Sequence, residues 1–225
     1  MRKLVIAVDG PAAAGKSTVS KALAARLGYL YIDTGALYRA VAWLADREEI
    51  ADGSSEVIGA RVVKADIRLE GNPRRPRVLV DGRDVSAEIR SERISQLSSK
   101  LSALPEVRDA LLDLQRRLGA DGGVVMDGRD IGTVIFPGAD AKFFVFASPE
   151  TRARRRHAEL QAKGIAADPD KVRAEIEERD RRDAGREHAP LKAAGDAVAI
   201  DTTDLDPEAV VARMLAVIES RLGIN

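Results

Sequence analysis

The apolar run Lys3–Val8 (KLVIAV), followed almost at once by Gly10-Pro11-Ala12-Ala13-Ala14-Gly15-Lys16-Ser17, constrains the fold more than any other feature of the chain. A continuous β-branched run without polar alternation reads as a strand buried on both faces, as in a parallel sheet. The eight residues after Asp9 fit G-x-x-x-x-G-K-[ST], and Val19, Leu23 and Leu27 then recur at helical spacing. Strand, glycine loop and helix in that order make a phosphate cradle. The glycines let backbone N–H groups wrap an anion, and the helix N-terminus adds a favourable dipole. Gly10 through Thr18 is therefore the expected nucleotide site, with Lys16 reaching the β/γ-phosphates and the Ser17 hydroxyl ligating Mg²⁺. The fold class implied is α/β: a P-loop parallel sheet flanked by helices.

The rest of the chain supplies further strands and helices, with one interruption. Gly35–Arg47, Thr151–Ala162 and Asp206–Leu222 read as helices, and Glu92–Leu118 as helix broken at Pro105. Gly123–Met126, Ala141–Phe146 and Ala197–Ile200 read as a second, third and fourth core strand. Between Val62 and Arg90 the pattern changes. Val63, Ala65, Ile67 and Leu69 alternate with Lys64, Asp66, Arg68 and Glu70, the period of a half-buried strand. Gly71-Asn72-Pro73 reads as a turn, Arg77–Val80 as a returning strand, and Asp81-Gly82 as a hairpin. A small antiparallel sheet is thus expected as an insert at about 62–90.

The tetrapeptide DGRD occurs twice, at Asp81–Asp84 and Asp127–Asp130. The first is the hairpin turn of the insert. The second follows a core strand directly, and ligands of open α/β sheets bind at the carboxyl ends of strands, so Arg129 and Asp130 are expected in the site. Asp168–His188 is the other unusual stretch. Of its 21 residues 14 are charged, a composition that fits a solvated helix. Arg179, Arg182 and Arg186, spaced i, i+3, i+7, share one face if the helix continues past Gly185, and the segment reads as a mobile, phosphate-binding lid.

Elimination narrows the chemistry. Lys+Arg and Asp+Glu are both 36, which argues against a nucleic-acid or membrane-surface binder. There is no cysteine, so disulfides, thiolate metal sites and cysteine nucleophiles are excluded, in keeping with a reducing cytoplasm. No signal-peptide pattern or membrane-length apolar run is present. Neither asparagine is followed by lysine, so the guanine motif N-K-x-D is missing, and Asp127 is followed by Gly-Arg where a water-activating ATPase carries a glutamate. Transfer of a phosphoryl group to a small acceptor remains. That chemistry needs spread negative charge neutralised, which Lys16, Arg39, Arg129 and the Arg179, Arg182, Arg186 set can supply. His157 and His188 have no partner at metal-ligand spacing and read as surface residues.

Five segments together resemble the bacterial cytidylate kinases: GPAAAGKST, DTGALYR at Asp33–Arg39, LSALPEVRDAL at Leu101–Leu111, DGRDIGTVIFP at Asp127–Pro137 and ERDRRDAGREHAPL at Glu178–Leu191. The likeness runs end to end and includes the antiparallel insert. It implies a single P-loop kinase domain over 1–225, with an NMP-binding lobe at 33–104 and a lid at 163–190. It further implies ATP as donor with Mg²⁺, CMP or dCMP as acceptor, no nucleic-acid or membrane partner, a cytoplasmic setting and a monomer. Carried over residue by residue, Thr34, Arg39, Ser99, Arg108, Arg129, Asp130, Arg179, Asp183 and Arg186 match acceptor-site positions. Lys16, Arg129, Arg179, Arg182 and Arg186 would be catalytic. Arg108 departs from a plain reading of the sequence, since an arginine on an amphipathic helix is ordinarily solvated. The loop interior is all alanine, where backbone alone is expected to matter.

Overall fold

In the computed structural model, residues 3–72 and 75–222 are described. The chain divides into two compact units, residues 1–31 with 122–225, and residues 32–121. The expected lobe at 33–104 thus falls inside a longer unit that also takes in the helix after Pro105.

The larger sheet is five-stranded and parallel, of order β2-β6-β1-β7-β8, with β1 Val5–Asp9, β2 Leu30–Asp33, β6 Val124–Gly128, β7 Ala141–Phe146 and β8 Val198–Asp201. Strand β1 is central because its residues are apolar on both faces. Ile6, Ala7 and Val8 are fully buried. Five strands stand where four were expected, the extra one being β2. At four residues, Leu30-Tyr31-Ile32-Asp33 is too short to show as a strand in sequence, and it is recruited by the sheet. Helix α1 (Lys16–Leu27) buries Val19 and Leu23. It joins Phe143, Val145, Met214 and Ile218 in one core, the last two from α8 (Pro207–Leu222). Register places Val8 beside Asp127 and Asp9 beside Gly128, so two carboxylates end adjacent strands at the carboxyl edge.

The second unit packs α2 (Thr34–Arg47), α3 (Ser55–Lys64), α4 (Glu92–Leu101) and α5 (Pro105–Gly119) with the three-stranded antiparallel sheet β3-β4-β5: Ile67–Asn72, Arg75–Val80 and Arg83–Asp84. Helix α2 is buried almost all round, from Ala36 to Ala45. Helices α3 and α5 approach closely at Gly59, where an added Cβ would meet the Glu106 Cβ at 2.6 Å.

The insert starts later than expected. Val62–Lys64 belong to α3, not to a strand, and Val63 is 72 % exposed. The alternation that suggested a strand is equally the edge of a helix whose buried face is Ile58, Gly59 and Val62. The Gly71-Asn72-Pro73 turn is only partly within view: Gly71 and Asn72 end β3, and Pro73 lies outside the described residues. The hairpin at Asp81-Gly82 forms as expected, with φ of 50° and 79°, both positive as a tight primed turn requires. Among the described residues no helix is long and apolar enough to cross a membrane.

Candidate functional site

The site begins with the turn after β1. Gly10 (φ 149°) cannot be replaced, since an added Cβ would stand 1.9 Å from the Val145 carbonyl oxygen. Ala13 and Gly15 take φ of 57° and 87°. Helix α1 starts at Lys16 with no side-chain cap and no acidic residue in its first turn, so its positive end is not neutralised by its own sequence. The loop carbonyls are occupied from outside. Lys16 Nζ donates to Pro11 O (2.7 Å), Arg152 Nη1 to Ala12 O (3.3 Å) and Thr202 Oγ1 to Ala14 O (3.0 Å). With its carbonyls so engaged, the loop keeps its N–H groups for an anion.

Lys16 is 5 % exposed. Burial and the charges of Arg129 and Arg179 push its ammonium down to about 7, against the pull of Asp127 and Asp9. This is a site with more positive charge than it can comfortably hold, which is what a polyphosphate relieves. Ser17 Oγ donates to Asp127 Oδ2 at 2.5 Å, and Tyr31 hydroxyl donates to the same oxygen at 3.2 Å. A hydroxyl beside a carboxylate is a hard-oxygen pair suited to Mg²⁺.

The second DGRD ends β6 and runs into a π-helical turn, Ile131–Ile135. Asp9 fixes that turn. Its two oxygens accept from Ile131 N and Gly132 N, each at 2.8 Å. Burial pushes the Asp9 carboxyl up to about 7, with Asp130 adding repulsion against the backbone donors. Asp130 is 4 % exposed. Arg129 Nε donates to Asp183 Oδ2 at 2.9 Å. Asp183 sits in helix α7 (Pro169–Ala184), and Arg186 and Arg179 address the same carboxylate, Arg179 from 4.0 Å. Burial pushes Asp183 up, and the three guanidinium groups outweigh it, so the carboxyl lies below its ordinary value. The helix ends at Ala184, so the condition for a shared helical face is not met and Arg186 arrives from the segment beyond it. Arg182 Nε lies 3.6 Å from Glu178 Oε1. The charged helix also has a core of its own, Val172 and Ile176 packing on Ala153 and Leu160 of α6 (Pro149–Ala162).

Within residues 32–121, the remaining candidates are Thr34, Arg39, Ser99 and Arg108. Thr34 is buried, and Arg39 Nη2 donates to Asp33 Oδ2 (2.7 Å), the carboxylate that also caps α2 at Ala36 N. Arg108 is buried, not solvated. Its Nη1 donates to Ser102 O (3.2 Å), and its guanidinium lies 5.6 Å over the Tyr38 ring. Ser99 is 2 % exposed, and its Oγ has no hydrogen-bond partner among the described residues. A buried hydroxyl left so is costly unless a ligand completes it.

The first DGRD, by contrast, is spent internally. Asp81 pairs with Arg61 (2.6 Å) and accepts from Asp66 N (2.8 Å); Arg83 pairs with Glu88 and stacks over Trp43. The sequence reading missed Asp9, Tyr31, Arg152 and Thr202. Asp9 had a legible signal, a carboxylate at the very end of the strand before the loop. The others come from distant segments and carried none. His188 is exposed and His157 half-buried, its Nε2 3.0 Å from Ala167 O.

Residues 6–220 match the family model described as cytidylate kinase. A cytidylate kinase of Geobacter sp. (strain M21) is 50% identical over 220 residues, 98% of this chain and 94% of the relative. One from Geobacillus sp. (strain WCH70) is 47% identical over 218 residues, 97% of each chain. In fold, the chain is similar to the crystal structure of an uncharacterized protein from Eubacterium ventriosum, with TM-score 0.51, 12% identity and coverage of 97% of this chain and 99% of that one.

Proposed function

This chain belongs to the cytidylate kinase family, and from that premise we propose that it transfers the γ-phosphoryl group of ATP to CMP or dCMP, giving ADP and CDP or dCDP. The acceptor phosphate oxygen attacks phosphorus in line, the bond to the β,γ-bridging oxygen breaks, and no covalent enzyme intermediate forms. Gly10 through Thr18 hold the triphosphate. Lys16 and the arginines Arg129, Arg179, Arg182 and Arg186 neutralise the charge that develops on the transferred group. Mg²⁺ would be held by Ser17, with Asp127 beside it, and would screen the phosphate charges. Thr34, Arg39, Ser99, Arg108, Arg129, Asp130, Arg179, Asp183 and Arg186 serve the acceptor.

Cytosine presents a donor at N4 and acceptors at N3 and O2. Asp130 accepts from the N4 amine, and Arg108 with Ser99 donates to the acceptor edge. Uracil reverses that pattern at N3 and C4 and would leave buried polar groups unpaired. Arg39, Arg129 and Arg186 hold the acceptor phosphate, while Arg179 and Asp183 address the ribose. The balanced charge supports an enzyme of small molecules over a binder of nucleic acid or membrane surfaces, and the missing cysteine fits a cytoplasmic setting.

One observation carries the reading: Arg129, Arg179 and Arg186 converge on a single buried carboxylate in the unit that contains the phosphate loop. The test is ADP release from Mg·ATP with CMP, dCMP, UMP, AMP, GMP or no acceptor. Turnover confined to CMP and dCMP is expected. Turnover with another acceptor alone would remove the roles given to Ser99, Arg108 and Asp130.

A further inference from the structure

The phosphate loop and helix α7 are joined by two contacts that the reaction itself does not require. Arg152, on α6, is 94 % hidden from solvent as its side chain is only 6 % exposed. Its Nε donates to Ala147 O at 3.0 Å. Its Nη1 is shared between Ala12 O of the loop (3.3 Å) and Asp180 Oδ2 of α7 (2.5 Å). The second contact is apolar. Ala13 packs on the small core where α6 meets α7, which contains Ala153, Leu160, Val172 and Ile176. Ala13 does so from a left-handed backbone (φ 57°), a conformation in which glycine would be less strained. The alanine there supplies a methyl group as well as a backbone, contrary to the expectation that backbone alone matters.

Asp180 lies between Arg179 and Arg182 and three residues before Asp183. Whatever fixes Asp180 also fixes the stretch of helix backbone from which those side chains project. Its other oxygen, Oδ1, is buried without a hydrogen-bond partner among the described residues, so Arg152 is what holds this carboxylate in place. A planar guanidinium holds its donors in a rigid fork, so Nε and Nη1 reach three acceptors in fixed directions, whereas an ammonium offers its donors from one freely rotating atom.

We propose that Arg152 is a positioning residue: it clamps the phosphate loop to α7 through Asp180, so that filling the loop with triphosphate immobilises α7 and sets Arg179, Arg182 and Asp183 for the transfer. The inference rests on the reading of the loop as the ATP site. A purely structural arginine would stabilise the fold and leave the response of α7 to nucleotide unchanged.

The test is hydrogen exchange of the amides of residues 169–184, in full-length protein, with and without Mg²⁺ and a non-hydrolysable ATP analogue. Wild type, Arg152→Lys, Asp180→Asn and Ala13→Gly are compared, together with analogue affinity, kcat and KM for ATP. In wild type the analogue should slow exchange in α7. In all three variants that slowing should be largely lost, and in Asp180→Asn, which lies outside the loop, the analogue should still bind within about threefold of wild type. In Arg152→Lys and Asp180→Asn kcat should fall about tenfold, with KM for ATP moving far less, as expected of misplaced rather than missing groups. Undiminished slowing in Asp180→Asn, or an unchanged kcat in both variants, overturns the proposal. If Arg152→Lys no longer binds the analogue, Asp180→Asn decides, since Asp180 lies outside the loop. Failure of wild type to bind the analogue would sink the functional reading and this inference together. Binding with identical behaviour in all four proteins would sink this inference alone.

Discussion

The fold alters the chemistry of Lys16 and Asp9 in opposite directions. Lys16 ordinarily titrates at 10.5 and is held at about 7. Between those values the folded chain carries fewer protons than the unfolded one, so the cost of charging Lys16 is fully present below about pH 7 and disappears as pH rises toward 10.5. A bound triphosphate reverses the shift. Nucleotide binding at about pH 8 should therefore take up close to one proton. Calorimetry in two buffers of different ionisation enthalpy measures it, and Lys16→Met should abolish the uptake and cut turnover on the order of a thousandfold. Asp9 is shifted the other way, from 3.8 to about 7. In that window the folded state keeps a proton the unfolded state has lost, so its contribution to stability declines as pH rises from about 4 to about 7. The stability difference between wild type and Asp9→Asn should slope by at most a few kcal/mol across that window and be flat on either side. A flat difference throughout would mean that Asp9 is ionised in the fold.

At the level of elements, the same four letters do different work because different elements precede them. Asp81 and Gly82 turn a hairpin, and both polar groups of Asp81 are used within that unit, on Arg61 and Asp66 N. Asp81→Ala should lower stability by about 1 kcal/mol and leave turnover per folded molecule unchanged. Asp130 instead follows the end of a core strand and opens the π-helical turn that Asp9 holds. Asp130→Ala should reduce the preference for CMP over UMP about tenfold or more, read as a ratio of kcat/KM. An unchanged ratio would take base recognition away from this residue. Helix α3 shows where pattern reading fails. Alternation over a few residues is shared by a strand and by the margin of a helix, and only the packing of Ile58, Gly59 and Val62 decides between them.

At the scale of the whole molecule, two cores are built by different means, and a depressed carboxylate belongs to each unit. In residues 32–121 the core is largely helical, centred on α2, and its Asp33 carboxyl is held below its ordinary value: burial pushes it up and Arg39 outweighs that. In the other unit Asp183 is likewise depressed by its arginines. Each contributes stability that is present above about pH 4 and is lost as pH falls through its folded value. Trp43 is the only tryptophan and lies in the helical core, with its Nε1 donating to Glu88. Its emission should therefore follow acid unfolding of residues 32–121 below about pH 4, and Asp33→Asn should flatten that dependence. Emission steady to pH 2 would remove Asp33 as the source.

Much of this protein is decided locally. The buried run Lys3–Val8, the glycine loop and the helical spacing after it are contiguous, so the cradle for phosphate follows from short-range geometry alone, and so does the hairpin at Asp81-Gly82, where positive φ selects the residues. The alternation of strands and helices likewise made the α/β class legible. What tertiary structure alone decided is which distant groups meet. That Arg129 and Asp183 share a hydrogen bond across 54 positions, that Arg152 touches both Ala12 and Asp180, and that Arg108 is buried over Tyr38 depend on strand order and helix packing. No periodicity in a single segment encodes these meetings. The physical reason is that charge neutralisation in a buried site is a property of a constellation, and a constellation exists only once the chain has brought its segments together.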